Sequence, residues 1–311
     1  MPYPLIDEMA GAYLSVQGRL IRADDPEAAP LFLPSDPVMY YEVVRVTRGV
    51  PLFWEDHLAR LARSVRGALP IPESLYAESV RLIAACGLVS ANLKLILTEQ
   101  LRVIHLTTSY YPGPQQIQAG VPTGILTWER EDPNTKIIRA DYKAAVAARF
   151  ARPGPFGPCF EVLLADRRGF LTEGSRSNLF FIRGSRVLSA PDSRILLGIT
   201  RKHVHQALQA AGTILEEGLL TLGDIRSDDG ITAFLTASPI DILPINAIED
   251  IRLNSAENPL LRRIHAAYQA IVEEYVAGRL ARIRRNMPES AQSGTSASNG
   301  SINKTTAFEE E

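Results

Sequence analysis

The chain has 311 residues, 46% apolar and 22% charged, enough to bury a sizeable core and too apolar for a disordered chain. With 33 basic and 35 acidic residues it supplies no basic field for nucleic acid, although a local cluster could still hold a small anion. Cys86 and Cys159 lack metal-ligand spacing and read as buried, reduced thiols without a metal site. No apolar run reaches membrane-spanning length and MPYPLIDEMAGAYL lacks a basic leader region, so a cytoplasmic protein without membrane contact is expected.

Residues 1–35 alternate short apolar clusters with Pro and acids, and predict only a strand or two. VMYYEVVRV, residues 38–46, is a dense run of β-formers, and Arg48-Gly49 ahead of VPLFW predicts a hairpin turn. From Asp56 onward Leu58, Leu61, Val65 and Leu69 recur at helical spacing, leaving His57, Arg60, Arg63 and Arg66 largely on other faces. The whole run YYEVVRVTRGVPLFWEDHLARLARS resembles the class IV pyridoxal-phosphate aminotransferases, the family of branched-chain and D-amino-acid aminotransferases and aminodeoxychorismate lyases. The resemblance implies that Arg60 holds the cofactor phosphate and that Tyr41 lies beside the cofactor. On the residues alone, Arg60 reads as a solvated helix charge and Tyr41 as cross-strand packing.

A second helix over residues 73–86 stops at Gly87, and ANLKLILT with LRVIHLTT forms a strand pair that closes a first α/β domain near residue 118. YYPGPQQIQAGVPTG reads as an interdomain linker, and GILTWERE as the strand that opens the second domain. The D-amino-acid members of the family trap the substrate carboxylate with Arg-x-His. In LILTEQLRV the expected arginine position is Glu99, which argues against that specificity. WEREDPNTKIIRADYKAAVAARFARP then holds two candidates, Lys136 and Lys143, for the amine that the resemblance requires to form an imine with the cofactor. A helix over residues 138–152 keeps its full length behind Lys136 and shrinks to two turns behind Lys143, so Lys136 is expected. Spacing to Glu161 does not separate the two.

Apolar runs at residues 162–165 and 179–182 flank a polar, small-residue stretch, predicting strand, elbow, strand with Glu173 at a sheet edge. By composition this could be any connecting loop. TEGSRSNLFFI, however, resembles the signature of the same family, which implies that Glu173 pairs with the pyridine nitrogen of the cofactor. Gly198, Ile199 and Thr200 precede an amphipathic helix that ends at Gly212, an anion site of N–H groups and a hydroxyl, although Thr200 is also a good N-cap. In the family this GITR run contacts the phosphate. ITAFLTASPIDILPI, residues 231–245, resembles the family's late strand and turn, which makes Ser238 a further phosphate contact. A last helix is predicted over residues 258–282, and a disordered tail from Met287.

The match runs nearly the whole chain and implies an α/β (α+β) fold of the D-amino-acid-aminotransferase type. That fold has a small N-terminal domain (1–118), a linker and strand entry (119–129), a larger cofactor-binding domain (130–285) and the tail (286–311). Pyridoxal 5'-phosphate is expected at the domain interface of a homodimer. The implied activity is transamination between an amino acid and a 2-oxo acid, with the branched-chain type as one option and the amino donor left open. An aminodeoxychorismate lyase is the alternative, and a pyridoxal-phosphate-binding protein without turnover the third reading.

Overall fold

The computed structural model describes residues 3–108 and 111–285, so the expected tail lies outside the described residues. The first half is built on a six-stranded antiparallel sheet in the order β3-β2-β8-β7-β5-β6, formed by β2 (Ala10–Val16), β3 (Arg19–Arg22), β5 (Tyr40–Thr47), β6 (Val50–Pro51), β7 (Ser90–Leu97) and β8 (Arg102–Thr107). Two further short strands, β1 (Tyr3–Pro4) and β4 (Pro34–Ser35), pair with each other. Period-two alternation decides what each face of the sheet does. Val44, Val46, Leu93 and Leu95 point to a core shared with the helices α1 (Trp54–Val65) and α2 (Leu75–Cys86). Tyr41, Val43, Asn92 and Lys94 look the other way, into a cavity. The β5–β6 turn is at Arg48-Gly49, both with positive φ (51° and 75°), and α2 stops at Gly87, φ 65°.

The second half is a 10-stranded sheet in which six strands close into a ring, β12-β16-β17-β9-β10-β11, sealed by the pairing of β11 with β12. Its strands are β9 (Val121–Thr127), β10 (Glu161–Ala165), β11 (Phe170–Gly174), β12 (Asn178–Arg183), β13 (Arg186–Ser189), β14 (Leu215–Glu217), β15 (Leu220–Thr221), β16 (Ile231–Ala237), β17 (Asp241–Ile248) and β18 (Ile251–Arg252). The run Leu179-Phe180-Phe181-Ile182 serves both sides of this wall. Leu179 and Phe181 join one apolar cluster with Leu163, Ala233 and Leu235, while Phe180 and Ile182 join another. The second cluster is covered by α5 (Ile199–Ala210) and α7 (Pro259–Arg285). The remaining helices are α3 (Pro114–Ala119), α4 (Ala140–Phe150) and α6 (Leu222–Ser227). Among the described residues no helix is long and apolar enough to cross a membrane.

Several expectations need correction. Glu173 is not at a sheet edge: β11 pairs with β10 on one side and β12 on the other, and Glu173 is opposite Leu164 and Asn178. Residues 231–245 form a hairpin of two strands, because Ser238-Pro239 turns the chain. The stretch read as a linker contains α3 and the first residues of β9, so the strand starts at Val121 and ends at Thr127, ahead of Trp128. His57 and Arg60 are buried, and both cysteines are free and only half-buried.

Candidate active site

One cavity of about 350 Å³ lies between the two sheets. Tyr41, Arg60, Lys136, Glu173, Ile199, Thr200 and Ser238, drawn from five separate stretches of sequence, all line it. The two halves are held together around it. The Arg60 guanidinium donates to the Leu197 carbonyl (3.2 Å), His203 on α5 contacts Asp56 on α1 (2.8 Å), and Arg45 of β5 forms an ion pair with Asp241 at the start of β17.

Lys136 is on the extended stretch just before α4. It is fixed there because residues 136–138 add to the free side of β5: Tyr41 N–H donates to the Lys136 carbonyl (3.3 Å) and Ile138 N–H to that of Met39 (3.0 Å). This places Lys136 Nζ 4.4 Å from the centroid of the Tyr41 ring, and the lysine's charge holds the Tyr41 phenol below its ordinary range. Lys143, in the first turn of α4, is absent from the cavity wall. Its Nζ pairs with Asp7 (3.0 Å) and with the Tyr3 hydroxyl, and 38% of its side chain is exposed.

The elbow between β11 and β12 is tied down by Glu161, whose one mark in the sequence is a charge at the head of an apolar strand. Its carboxylate accepts from Ser175 Oγ (2.6 Å) and Ser177 Oγ (2.9 Å), while Gly174 N–H donates to the Ser177 carbonyl (2.8 Å). Gly174 is needed because a Cβ there would overlap Ser177 Oγ. Glu173 is thereby held buried, at 2% exposure, and accepts from Arg130 Nε (2.7 Å) and Leu196 N–H (3.1 Å). Burial pushes its carboxyl above the usual range despite Arg130, which suits a group meant to face a further cation. Arg130 also reaches the Tyr142 ring, and like Glu161 it went unnoticed in the sequence.

At the other end the head of α5 points its first N–H groups toward the cavity, with Gly198 as N-cap. A Cβ at Gly198 would overlap Asn178 Oδ1, so glycine lets the helix start close to the elbow. Arg60 arrives from α1 already paired: its Nε and Nη2 donate to Glu42 at 2.7 and 2.5 Å, and His57 Nδ1 contacts the same carboxylate at 2.7 Å. Burial alone would raise the Glu42 carboxyl, but Arg60 and His57 bring it down to about 2. A signal for Glu42 was present, since it has the parity of Val44 and Val46 and an acid on that apolar face demands a cation. Thr236 Oγ1 lines the cavity, buried and without a hydrogen-bond partner in the protein.

Glu99, by contrast, is exposed on the turn between β7 and β8, away from the cavity wall. The residues of β7 that face the cavity are Asn92 and Lys94.

A family model for class IV aminotransferases matches residues 39–248, well over half of the chain and all of the elements that carry this cavity's lysine, glutamate, arginine and hydroxyls. The chain belongs to the class IV aminotransferases. It is accordingly a pyridoxal-phosphate-dependent transaminase. It is 23% identical to the D-alanine aminotransferase of Bacillus licheniformis over 74% of this chain and 86% of that protein. To the "Probable branched-chain-amino-acid aminotransferase" of Aquifex aeolicus it is 26% identical, over 48% of this chain and about half (49%) of that protein. A branched-chain aminotransferase from Thermoproteus uzoniensis, solved with norvaline, shares the fold with a TM-score of 0.69 at 21% identity, covering 86% of this chain and 98% of that one. The residues present suit the family's cofactor: N–H and hydroxyl donors with a buried guanidinium at one end, and a buried carboxylate on the elbow.

Proposed function

We propose that this cavity binds pyridoxal 5'-phosphate and moves an amino group between an amino acid and a 2-oxo acid, with Lys136 as the lysine that links to the cofactor. The observation that carries the assignment is that Lys136 shares one cavity with Glu173, Arg60, Ile199, Thr200 and Ser238, whereas Lys143 is absent from its wall and is tied to Asp7 at the rim. Bound pyridoxal phosphate supplies an electron sink for the substrate α-carbon. Arg60, the N–H groups of Ile199 and Thr200, and the hydroxyls of Thr200 and Ser238 hold its phosphate. Glu173 holds a proton at the ring nitrogen, and Tyr41 supports the lysine. Lys136 Nζ would then carry the proton of the donor's α-carbon over to the cofactor, and back to the α-carbon of the acceptor in the second half-reaction.

Val43, Pro239 and Ile240 add apolar wall to the cavity, which favours an amino acid with a branched aliphatic side chain. The division at residue 118 into a smaller and a larger domain belongs to this proposal, as do a homodimer and a cytoplasmic location. Phe32, Leu33 and Val38, apolar and exposed on one connecting stretch, support the dimer.

Purified protein is expected to show a visible absorbance that borohydride abolishes. Lys136→Ala is expected to lose that band together with transamination, and Lys143→Ala to keep the band. Peptide mapping after reduction decides the matter: an adduct on Lys143 would overturn the assignment of the lysine, and no adduct at all the whole reading. Conversion of the cofactor to its amine form by an amino acid, with release of the oxo acid, separates a transaminase from a lyase.

A further inference from the structure

The small-sheet wall of the cavity carries an ammonium for which the cofactor has no use. Lys94, in the middle of β7, has only 9% of its side chain exposed. A buried ammonium requires an anion, and here it is Asp7, whose Oδ1 is 2.6 Å from Lys94 Nζ. Asp7 belongs to no sheet. It is on the stretch between β1 and β2, which Leu5 and Ile6 anchor in a cluster with Ile96 and Val103. Its side chain is 29% exposed, and it has further partners in Lys143 (3.0 Å) and the Tyr3 hydroxyl. Lys94 is thus fixed, while its carboxylate partner sits at the rim with other cationic contacts to turn to.

We propose that Lys94 receives the α-carboxylate of the amino acid or oxo acid, and that Asp7 occupies that place until the substrate displaces it toward Lys143. This inference rests on the cofactor reading above. Register supports it. Val43 is opposite Lys94 and Tyr41 is opposite Ile96, so Lys94 is one pleat repeat, roughly 7 Å, along the sheet from the row that carries Tyr41 and, over its ring, Lys136. An amino acid can span that gap with its nitrogen toward Lys136 and its carboxylate toward Lys94. The exchange swaps one carboxylate for another at the same ammonium, so neither charge is left buried and bare. The other cations on the wall have their own roles or partners: Lys136 and Arg60 serve the cofactor, Arg60 being held by Glu42, while Arg130 is paired with Glu173 and Arg176 donates to the Phe160 carbonyl.

The test uses the holoprotein and an unreactive monocarboxylate, 4-methylpentanoate, titrated against the cofactor absorbance, with 4-methylpentanamide as the neutral control. Lys94→Met is expected to weaken carboxylate binding ~10-fold or more, with little effect on the amide, and Lys94→Arg to restore much of it. Asp7→Asn, which removes the competing carboxylate, is expected to tighten binding ~3-fold on the same grounds. Opposite signs for the two variants are what a displaced partner requires. If both weaken binding alike, the pair is only a clamp on the N-terminal stretch; if Lys94→Met binds as the parent does, the carboxylate lies elsewhere. Either result overturns the proposal. The failures are distinguishable, because a parent protein without the borohydride-sensitive band sinks the cofactor reading before any titration begins.

Discussion

The two walls of the cavity are built on different principles. On the large-sheet wall the polar groups of the elbow are compensated from within their own half: Glu173 by Arg130 and the Leu196 N–H, Ser175 and Ser177 by Glu161, Asn178 by the Leu196 carbonyl. On the small-sheet wall Lys94 depends on Asp7 from the rim, and Arg60 reaches over to the Leu197 carbonyl of the other half. A wall compensated from within can hold fixed geometry against one unchanging ligand. A wall with exchangeable partners can accept a ligand that comes and goes each turnover.

The largest effect expected from breaking this contrast is on the compensated wall. Glu173→Gln preserves shape and removes the charge that would keep the ring nitrogen protonated, so turnover is expected to fall roughly 100- to 1000-fold, in line with the loss of one preorganised electrostatic group. The borohydride-sensitive band is expected to survive, since Lys136 is untouched. Parent-like turnover in the glutamine variant would mean that another group, with Arg130 the nearest candidate to examine, sets the protonation of the ring.

Next in size is the Glu42 cluster, a part of the small-sheet half that resembles the other wall in being compensated from within. Glu42→Gln strips the buried partner from Arg60 and His57 and is expected to cost roughly 3–5 kcal/mol of stability at neutral pH. The pH dependence has a definite sign. A carboxyl held at about 2 when folded and near 4.5 when unfolded stabilises fully above pH 4.5, and that contribution is lost as pH falls toward 2. Burial also keeps His57 from accepting the proton that the unfolded chain takes up below about 6.5, which again removes stability on acidification. Urea denaturation from pH 7 to pH 3 is expected to show a steep decline in the parent and a shallower one in the variant. Equal slopes would show that other carboxylates dominate.

The contrast between the walls also explains what the sequence revealed. Lys136, Glu173, Arg60, Thr200 and Ser238 each stand in a short run that resembles a motif of the family, and all of them reach one cavity. The residues that compensate them are distant in sequence: Glu42 is 18 positions from Arg60, Arg130 is 43 from Glu173, and Glu161 is 14 from Ser175. Nothing local marks such a partner except a polar residue out of place, as Glu42 is among Val44 and Val46, or Glu161 at the head of an apolar strand. Lys94 went unnoticed for the same reason, because the hairpin register between β7 and β8, which decides what faces the cavity, could not be read from ANLKLILTEQLRV. The sheets themselves were legible where period-two runs are long. The elbow's burial on both sides was not, since it depends on the ring closing between β11 and β12.

The smallest effect sharpens the contrast most finely, because it concerns a group that neither wall compensates. Thr236 ends the inner run of β16, and its Oγ1 is buried on the cavity wall with no partner. An uncompensated buried hydroxyl costs stability in the protein alone, and regains it if the cofactor offers an oxygen or a proton there. Thr236→Val keeps the shape and removes the hydroxyl. Without cofactor the variant is therefore expected to be as stable as the parent or more so, by up to about 1 kcal/mol, while its cofactor affinity falls about 2- to 10-fold, the worth of one ordinary hydrogen bond. Thermal unfolding of the cofactor-free protein and equilibrium dialysis of pyridoxal phosphate measure the two signs separately. If the variant is destabilised without cofactor, Thr236 is serving the fold. If affinity is unchanged while stability rises, its hydroxyl does not face the cofactor, and the phosphate end rests on Arg60, Ser238 and the head of α5 alone.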